Sequence, residues 1–205
     1  NGKHNQPQIL LGLLVSENGY PLDYEIFEGN KFEGHTMLRV IEAFKTKYRM
    51  QQLIVVAYAG LMSNKNLREL VNRQYDFIIG AKIKNETQAI QSQIVSFKLK
   101  DGQSTEIKKN TTQRIVVSYS QARALRDAHN RNKGLERLKK QIITGKLSKA
   151  NINNKGYNKY LKLEGEIKVV IDYDKFKDDA KWDGLKGYIT NTNLKKEIVL
   201  DYYKQ

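Results

Sequence analysis

Two short apolar runs open the chain, Gln8 to Val15 and Pro21 to Phe27, with Ser16-Glu17-Asn18-Gly19 between them. Asn-Gly supplies the positive φ angles of a tight turn, so this stretch predicts a β-hairpin. Met37, Val40, Ile41, Phe44 and Tyr48 then recur at three- and four-residue spacing, which predicts an amphipathic helix with Thr36 as its N-cap. The continuous run Leu53 to Ala57 predicts a strand buried on both faces, ending at Tyr58-Ala59-Gly60. Ser63 or Asn64 is placed to cap a second helix with Leu67, Leu70 and Val71 inward, and Asp76 to Ile83 predicts another buried strand. Strand pair, helix, strand, helix, strand is the ordering of a mixed α/β sheet with helices on its faces.

From about Asn85 the pattern changes to short strand-like stretches, Ile94 to Leu99, Arg114 to Tyr119 and Ile167 to Tyr173, around one long helix from Gln121 to about Ile142. That helix turns Leu125, Ala128, Leu135, Leu138 and Ile142 to one side and Arg123, Arg126, Lys133, Arg137 and Lys140 to another. Gly134 weakens it locally. A polar Gly/Asn-rich stretch, Asn151 to Gly156, predicts an exposed loop. After Trp182-Asp183-Gly184 the chain returns to a strand, Lys186 to Thr190, and closes with a helix near Asn193 whose inner face is Leu194, Ile198 and Tyr202.

Charge follows the same division. The 205 residues carry 36 Lys plus Arg against 22 Asp plus Glu, a net +14. Residues 1–84 hold 11 basic and 8 acidic groups, 85–180 hold 20 and 11, and 181–205 hold 5 and 3, so the nets are +3, +9 and +2. The expected organisation is a core (1–84), a basic insertion (85–180) and a return to the core (181–205). Such a field attracts polyanions, and the basic helix face is suited to a phosphate backbone. Two plainer readings stand beside this: codon bias of an AT-rich genome, and a solvated helix surface tied by Asp127 with Arg131 and Glu136 with Lys140. Zero cysteines exclude disulfides and thiolate metal sites, and three scattered histidines disfavour zinc, so carboxylates are the remaining metal ligands. The polar stretch Asn1 to Gln8 and the lack of any apolar run of about eighteen residues predict a soluble, cytosolic protein without a membrane span.

Three stretches carry a family resemblance: Gly12-Leu-Leu-Val-Ser-Glu-Asn-Gly-Tyr-Pro-Leu-Asp-Tyr-Glu-Ile-Phe-Glu-Gly-Asn30, Ile54-Val-Val-Ala-Tyr-Ala-Gly-Leu-Met-Ser63, and Gly187-Tyr-Ile-Thr-Asn-Thr192 through Asp201-Tyr-Tyr-Lys-Gln205. Together they resemble DDE transposases of bacterial insertion sequences, more narrowly the insertion-sequence-four type. The resemblance implies an RNase-H-like mixed sheet flanked by helices, interrupted by a basic β-rich insertion. It also implies DNA transposition at the bacterial nucleoid, with element ends and target DNA as partners, and a homodimer or an intact transposase as a protein partner. In that family two Mg²⁺ ions, about 3.5–4 Å apart, clamp the attacking and leaving oxygens of a phosphoryl displacement. Two Asp and one Glu hold them.

Carried onto this chain, the carboxylate triad is not intact. The first Asp would precede Asn1, upstream of Lys3-His4-Asn5-Gln6-Pro7-Gln8, where Lys3 and His4 lie near the family's DNA path. The second belongs in a Val-Ala-Asp-Ala-Gly-Leu context that here reads Val56-Ala57-Tyr58-Ala59-Gly60-Leu61. The third follows a signature of Tyr, two residues, Arg, three residues, Glu, in which Tyr203 fits the Tyr and Gln205 precedes the Arg. A neutral phenol does not replace a carboxylate on Mg²⁺. The chain is therefore expected to be an internal transposase fragment that binds no metal and does not cut DNA. The alternatives are a non-catalytic DNA-binding or transposase-interacting remnant, and an inert product too truncated to fold. Other acids, Asp23, Glu25 and Glu28 in the hairpin and Asp172, Asp174, Asp178 and Asp179 later, read as solvated strand or loop acids.

Overall fold

The computed structural model describes residues 9–28, 33–60 and 64–204. In chain order the elements are β1 (Ile9–Val15), β2 (Pro21–Glu28), α1 (Glu33–Tyr48), β3 (Ile54–Ala57), α2 (Asn64–Asn72), β4 (Asp76–Ala81), α3 (Gln88–Ser96), β5 (Ser104–Lys108), β6 (Arg114–Tyr119), α4 (Gln121–Ile143), β7 (Leu161–Glu164), β8 (Lys168–Ile171), α5 (Tyr173–Asp178), β9 (Leu185–Thr190) and α6 (Lys196–Lys204). The class is mixed α/β, as the alternation of patterns predicts.

Hydrogen bonds from Gly19 N to Ser16 O (2.9 Å) and Ser16 N to Tyr20 O (2.8 Å) close the β1–β2 hairpin, with Gly19 at φ +79°. Its inner face puts Leu14 against Val40 and Phe44 of α1. Helix α1 starts at Glu33, so Thr36 lies inside it and is not its cap. The cap proposed at Ser63 lies outside the described residues. Both α1 and α2 close with a non-glycine residue in the left-handed region, Arg49 and Gln74. In each case the next amide reaches back five residues, Met50 N to Lys45 O and Tyr75 N to Leu70 O, satisfying carbonyls the helix leaves open.

Five strands form one mixed sheet in the order β3-β4-β9-β6-β5, with β3 and β4 parallel and β4 and β9 antiparallel. The expectation that Leu53 to Ala57 is buried on both faces is corrected. β3 ends the sheet order, and while Val55 is buried, Val56 on the opposite face is 44% exposed. β4, one strand further in, has four consecutive buried residues, Phe77 to Gly80.

The chain divides into two compact units, 1–83 with 105–116 and 187–205, and 84–104 with 117–186. The segment 85–180 is therefore not one insertion: β5 and the first half of β6 return to the sheet of the first unit, and the second unit runs on to 186. Residues 94–99 are not a strand either. Thr87 Oγ1 accepts from Ile90 N (3.4 Å) and starts α3, whose Ile90 and Ile94 repeat at helical spacing.

In the second unit, Leu135 and Leu138 of α4 pack with Tyr160, Leu161 and Ile171 around the β7–β8 hairpin. Leu125, expected on that side, is 65% exposed. Ile171 ends β8, and Asp172 caps α5 by accepting from Lys175 N (3.1 Å), so the expected strand to Tyr173 stops two residues early. Gly134 is in α4 for space: a Cβ there would lie 2.2 Å from the Tyr157 ring. The ion pairs also differ from those expected. Arg131 binds Asp183 and stacks over Phe176, Asp127 pairs with Arg123 (3.6 Å) and accepts from Gly184 N (3.2 Å), and Glu136 pairs with Lys139 (2.8 Å). The turn before β9 thus captures two α4 side chains that helical spacing alone would pair with each other.

Asp179 is the clearest departure from a solvated loop acid. Its side chain is 17% exposed and accepts from Lys84 (2.6 Å), Lys159 (2.7 Å) and the Tyr160 hydroxyl (2.5 Å). Burial alone would raise its pKa, but Lys159, Lys84 and Tyr160 together outweigh that and hold the carboxyl well below the usual range. Asp179→Asn is expected to cost about 2 kcal/mol of unfolding stability at pH 7, for loss of one member of a partly buried ionic cluster. With a depressed folded-state pKa, that contribution is full above the unfolded value of about 3.9 and is lost as pH falls through the folded value. Denaturant titrations of both proteins should show a constant gap from pH 7 to pH 5 that shrinks below about pH 4; a gap that widens on acidification contradicts the assignment.

Candidate functional site

The segment after β9 sets the geometry around Tyr58. A strand end leaves main-chain groups that must be paired, and Thr190-Asn191-Thr192 pairs them with side chains. The Asn191 amide accepts from Phe77 N (2.9 Å) and donates to Tyr75 O (2.9 Å), which extends the β4–β9 ladder beyond its last main-chain pair. Thr190 Oγ1, fully buried, donates to Phe77 O (2.7 Å) and lies 2.9 Å from Thr192 Oγ1. This holds the entry to α6 against β4.

α6 then buries Val199 and Leu200 against Ile78, Val116 and Tyr188, with Leu194, Tyr202 and Tyr203 partly buried around them. The expected inner face of Leu194, Ile198 and Tyr202 is corrected at Ile198, which is more than a third exposed. Val199 takes that inward position. Tyr203 stands edge-on to Tyr188 (centroids 4.6 Å, 69°) and to Tyr58 (5.8 Å, 88°). Gly80 in β4 leaves the room: a Cβ there would lie 2.7 Å from the Tyr203 hydroxyl and 3.0 Å from Ala59 N. Tyr58, just past the end of β3, is 69% exposed. The chain thus brings Tyr58 and Tyr203, far apart in sequence, into ring contact, with the phenol of Tyr58 facing solvent.

These residues do not fit a pair of divalent cations. Hard cations need several oxygen donors, preferably anionic, and the two side chains gathered here are phenols. Among the described residues, no group of three or more His, Asp and Glu is close enough to hold a metal ion. Asp23 is instead bound by Lys47 (2.7 Å) and the Tyr48 hydroxyl (2.9 Å), contacts that lower its pKa, Lys47 first. Asp178 pairs with Lys181.

The second candidate is the outer face of α4. Arg126, Lys133, Arg137 and Lys140 are all exposed, and steps of seven, four and three bring them onto one stripe with His129 and Asn130. At about 1.5 Å per residue the stripe is about 21 Å long. Among the described residues none of the four cations has an acidic partner, and Glu136 at the stripe's flank is taken by Lys139. Arg123, expected on this face, is half-buried and held by Asp127. Lys3 and His4 lie outside the described residues. Among the described residues, no helix is long and apolar enough to cross a membrane.

Comparison with protein families, with curated proteins and with solved structures finds no match for this chain.

Asn191→Ala removes two hydrogen bonds at once and strands the Phe77 amide and the Tyr75 carbonyl. The expected loss is roughly 2–3 kcal/mol by denaturant unfolding, with a displaced ring environment for Tyr203 by NMR. Unchanged stability and unchanged Tyr203 resonances would show that the asparagine does not set the α6 position.

Proposed function

We propose that this chain is a DDE-transposase-type domain of RNase-H-like architecture that engages DNA through its phosphates and does not itself cut it. The observation that carries the reading is the meeting of Tyr58 and Tyr203. The family resemblance assigns these two positions independently, one to the second Asp and one to the start of the Tyr-Arg-Glu signature, and catalysis in such a fold needs the strand end and the late helix to converge. The mixed sheet with β3 and β4 parallel and α2 connecting them supports the same architecture. In the family the reaction is metal-dependent strand cleavage and transfer; with Tyr58 in the ligand position, what this chain retains is the DNA-handling part. The reading puts the protein in the bacterial cytoplasm on the nucleoid, with element ends and target DNA as partners and an intact transposase or a second copy as a protein partner.

The unpaired stripe on α4 favours DNA binding without cutting, whether as a remnant of a transposase or as a protein that competes with one for DNA. Purified chain incubated with supercoiled DNA in Mg²⁺ or Mn²⁺ should leave it uncut, and Tyr58→Asp alone should not restore nicking. Metal-dependent nicking by the unaltered chain would contradict the reading of Tyr58. Duplex binding followed by fluorescence anisotropy should weaken steeply with salt. Replacing Arg126, Lys133, Arg137 and Lys140 together by Gln should flatten the log–log salt slope by about 3 to 4, at roughly 0.9 for each phosphate the protein no longer neutralises. An unchanged slope would remove α4 from the interface.

A further inference from the structure

The exposed face of α4 carries more than cations. His129 and Asn130 stand among Arg126, Lys133, Arg137 and Lys140, and all six side chains are exposed. At 3.6 residues per turn the six fall within about 60° of Arg126 around the helix axis. Asn130 comes four residues after Arg126 and three before Lys133, so both cations are its surface neighbours, with Cβ atoms about 5–6 Å away. Other asparagines of the second unit are used by the fold. Asn151 accepts from Ser148 N (2.8 Å) and Asn153 from Lys155 N (2.8 Å), whereas the Asn130 amide has no hydrogen-bond partner among the described residues.

A neutral amide set among cations is poorly served by phosphate. Its Nδ2 can donate to a phosphate oxygen, but its Oδ1 only accepts, and phosphate has no proton to offer. A backbone contact would therefore strip Oδ1 of water and leave it unpaired beside negative charge. Both atoms are satisfied together by a donor and an acceptor side by side. In the major groove adenine alone presents that pair on one base, its N6 amino group beside N7; guanine shows two acceptors, cytosine a donor and thymine an acceptor. Guanine has a donor in the minor groove, but that groove is about 6 Å wide and does not admit a helix about 10–12 Å across.

We propose that Asn130 reads adenine in the major groove, Oδ1 accepting from N6 and Nδ2 donating to N7, while the cations around it hold the flanking phosphates. The inference rests on the reading of α4 as a DNA-contacting helix and adds the part that phosphates do not supply, because backbone contacts fix register without carrying sequence information.

Fluorescence anisotropy of the whole chain on two alternating A·T duplexes of equal length tests this, one natural and one with 7-deazaadenine in place of adenine. The analogue keeps pairing and charge and removes the N7 acceptor. The natural duplex should bind at least about fivefold more tightly, the lower end of what a bidentate base contact discriminates. Asn130→Ala, a replacement that an exposed helix position accepts, should bring the two affinities together and leave the salt slope unchanged, because no phosphate contact is lost. A steep salt slope with equal binding of both duplexes by the unaltered chain overturns the adenine contact and leaves the phosphate contact standing. A preference that survives Asn130→Ala overturns it as well. Absence of binding to either duplex contradicts the DNA reading itself, and this inference with it.

Discussion

Asn191 is the residue on which the geometry of the first unit turns. Its side chain substitutes for a length of main chain, giving Phe77 an acceptor and Tyr75 a donor where β9 has already ended. Because the Thr190 hydroxyl fastens the adjacent residue to the same strand, the direction of the chain entering α6 has little freedom. Val199 and Leu200 then find their core, and Tyr203 reaches across Gly80 to Tyr58. A polar turn of three residues thereby fixes a contact between Tyr58 and Tyr203, far apart in sequence, that no apolar pattern would bring together. The buried hydroxyls of Thr190 and Thr192 are tolerated because each is paired.

The second unit is held by a different balance. Its apolar cluster is centred on Leu135, Leu138 and Tyr160, and ionic ties are set beside it. Asp179 collects two lysines and a tyrosine, and Asp183 takes Arg131. These cations are occupied from within. The stripe of Arg126, Lys133, Arg137 and Lys140 is the set the fold leaves to solvent, and it is the set that the proposed DNA contact uses.

Much of this was legible from residues alone wherever the signal is local. Asn18-Gly19 announces the hairpin, the three- and four-residue spacing from Met37 announces α1, and the apolar runs announce β3 and β4. What could not be read depends on partners distant in sequence. β5 and the first half of β6 belong to the first unit because β6 lies beside β9 and β5 beside β6, and strand pairing leaves no mark on composition. Val56 looks like a core residue until its strand is found at the end of the sheet. Ile94 to Leu99 reads as a strand because its apolar residues are dense; Thr87 as a cap is the overlooked local signal. Asp179 resembles its acidic neighbours in sequence and differs only in what surrounds it. At the candidate site, the resemblance singled out Tyr58 and Tyr203 separately, but their contact, and the role of Asn191 in producing it, exist only in three dimensions.

On the proposed reading, DNA meets cations that this fold does not need for itself. Lysine acetylation footprinting, read by mass spectrometry with and without duplex DNA, measures this residue by residue. The account predicts that Lys133 and Lys140 are protected by DNA while Lys139, one position away on the helix but paired with Glu136, stays as reactive as in the free chain. Equal reactivity of Lys133 and Lys140 in both states, or protection of Lys139 to the same degree, would contradict it.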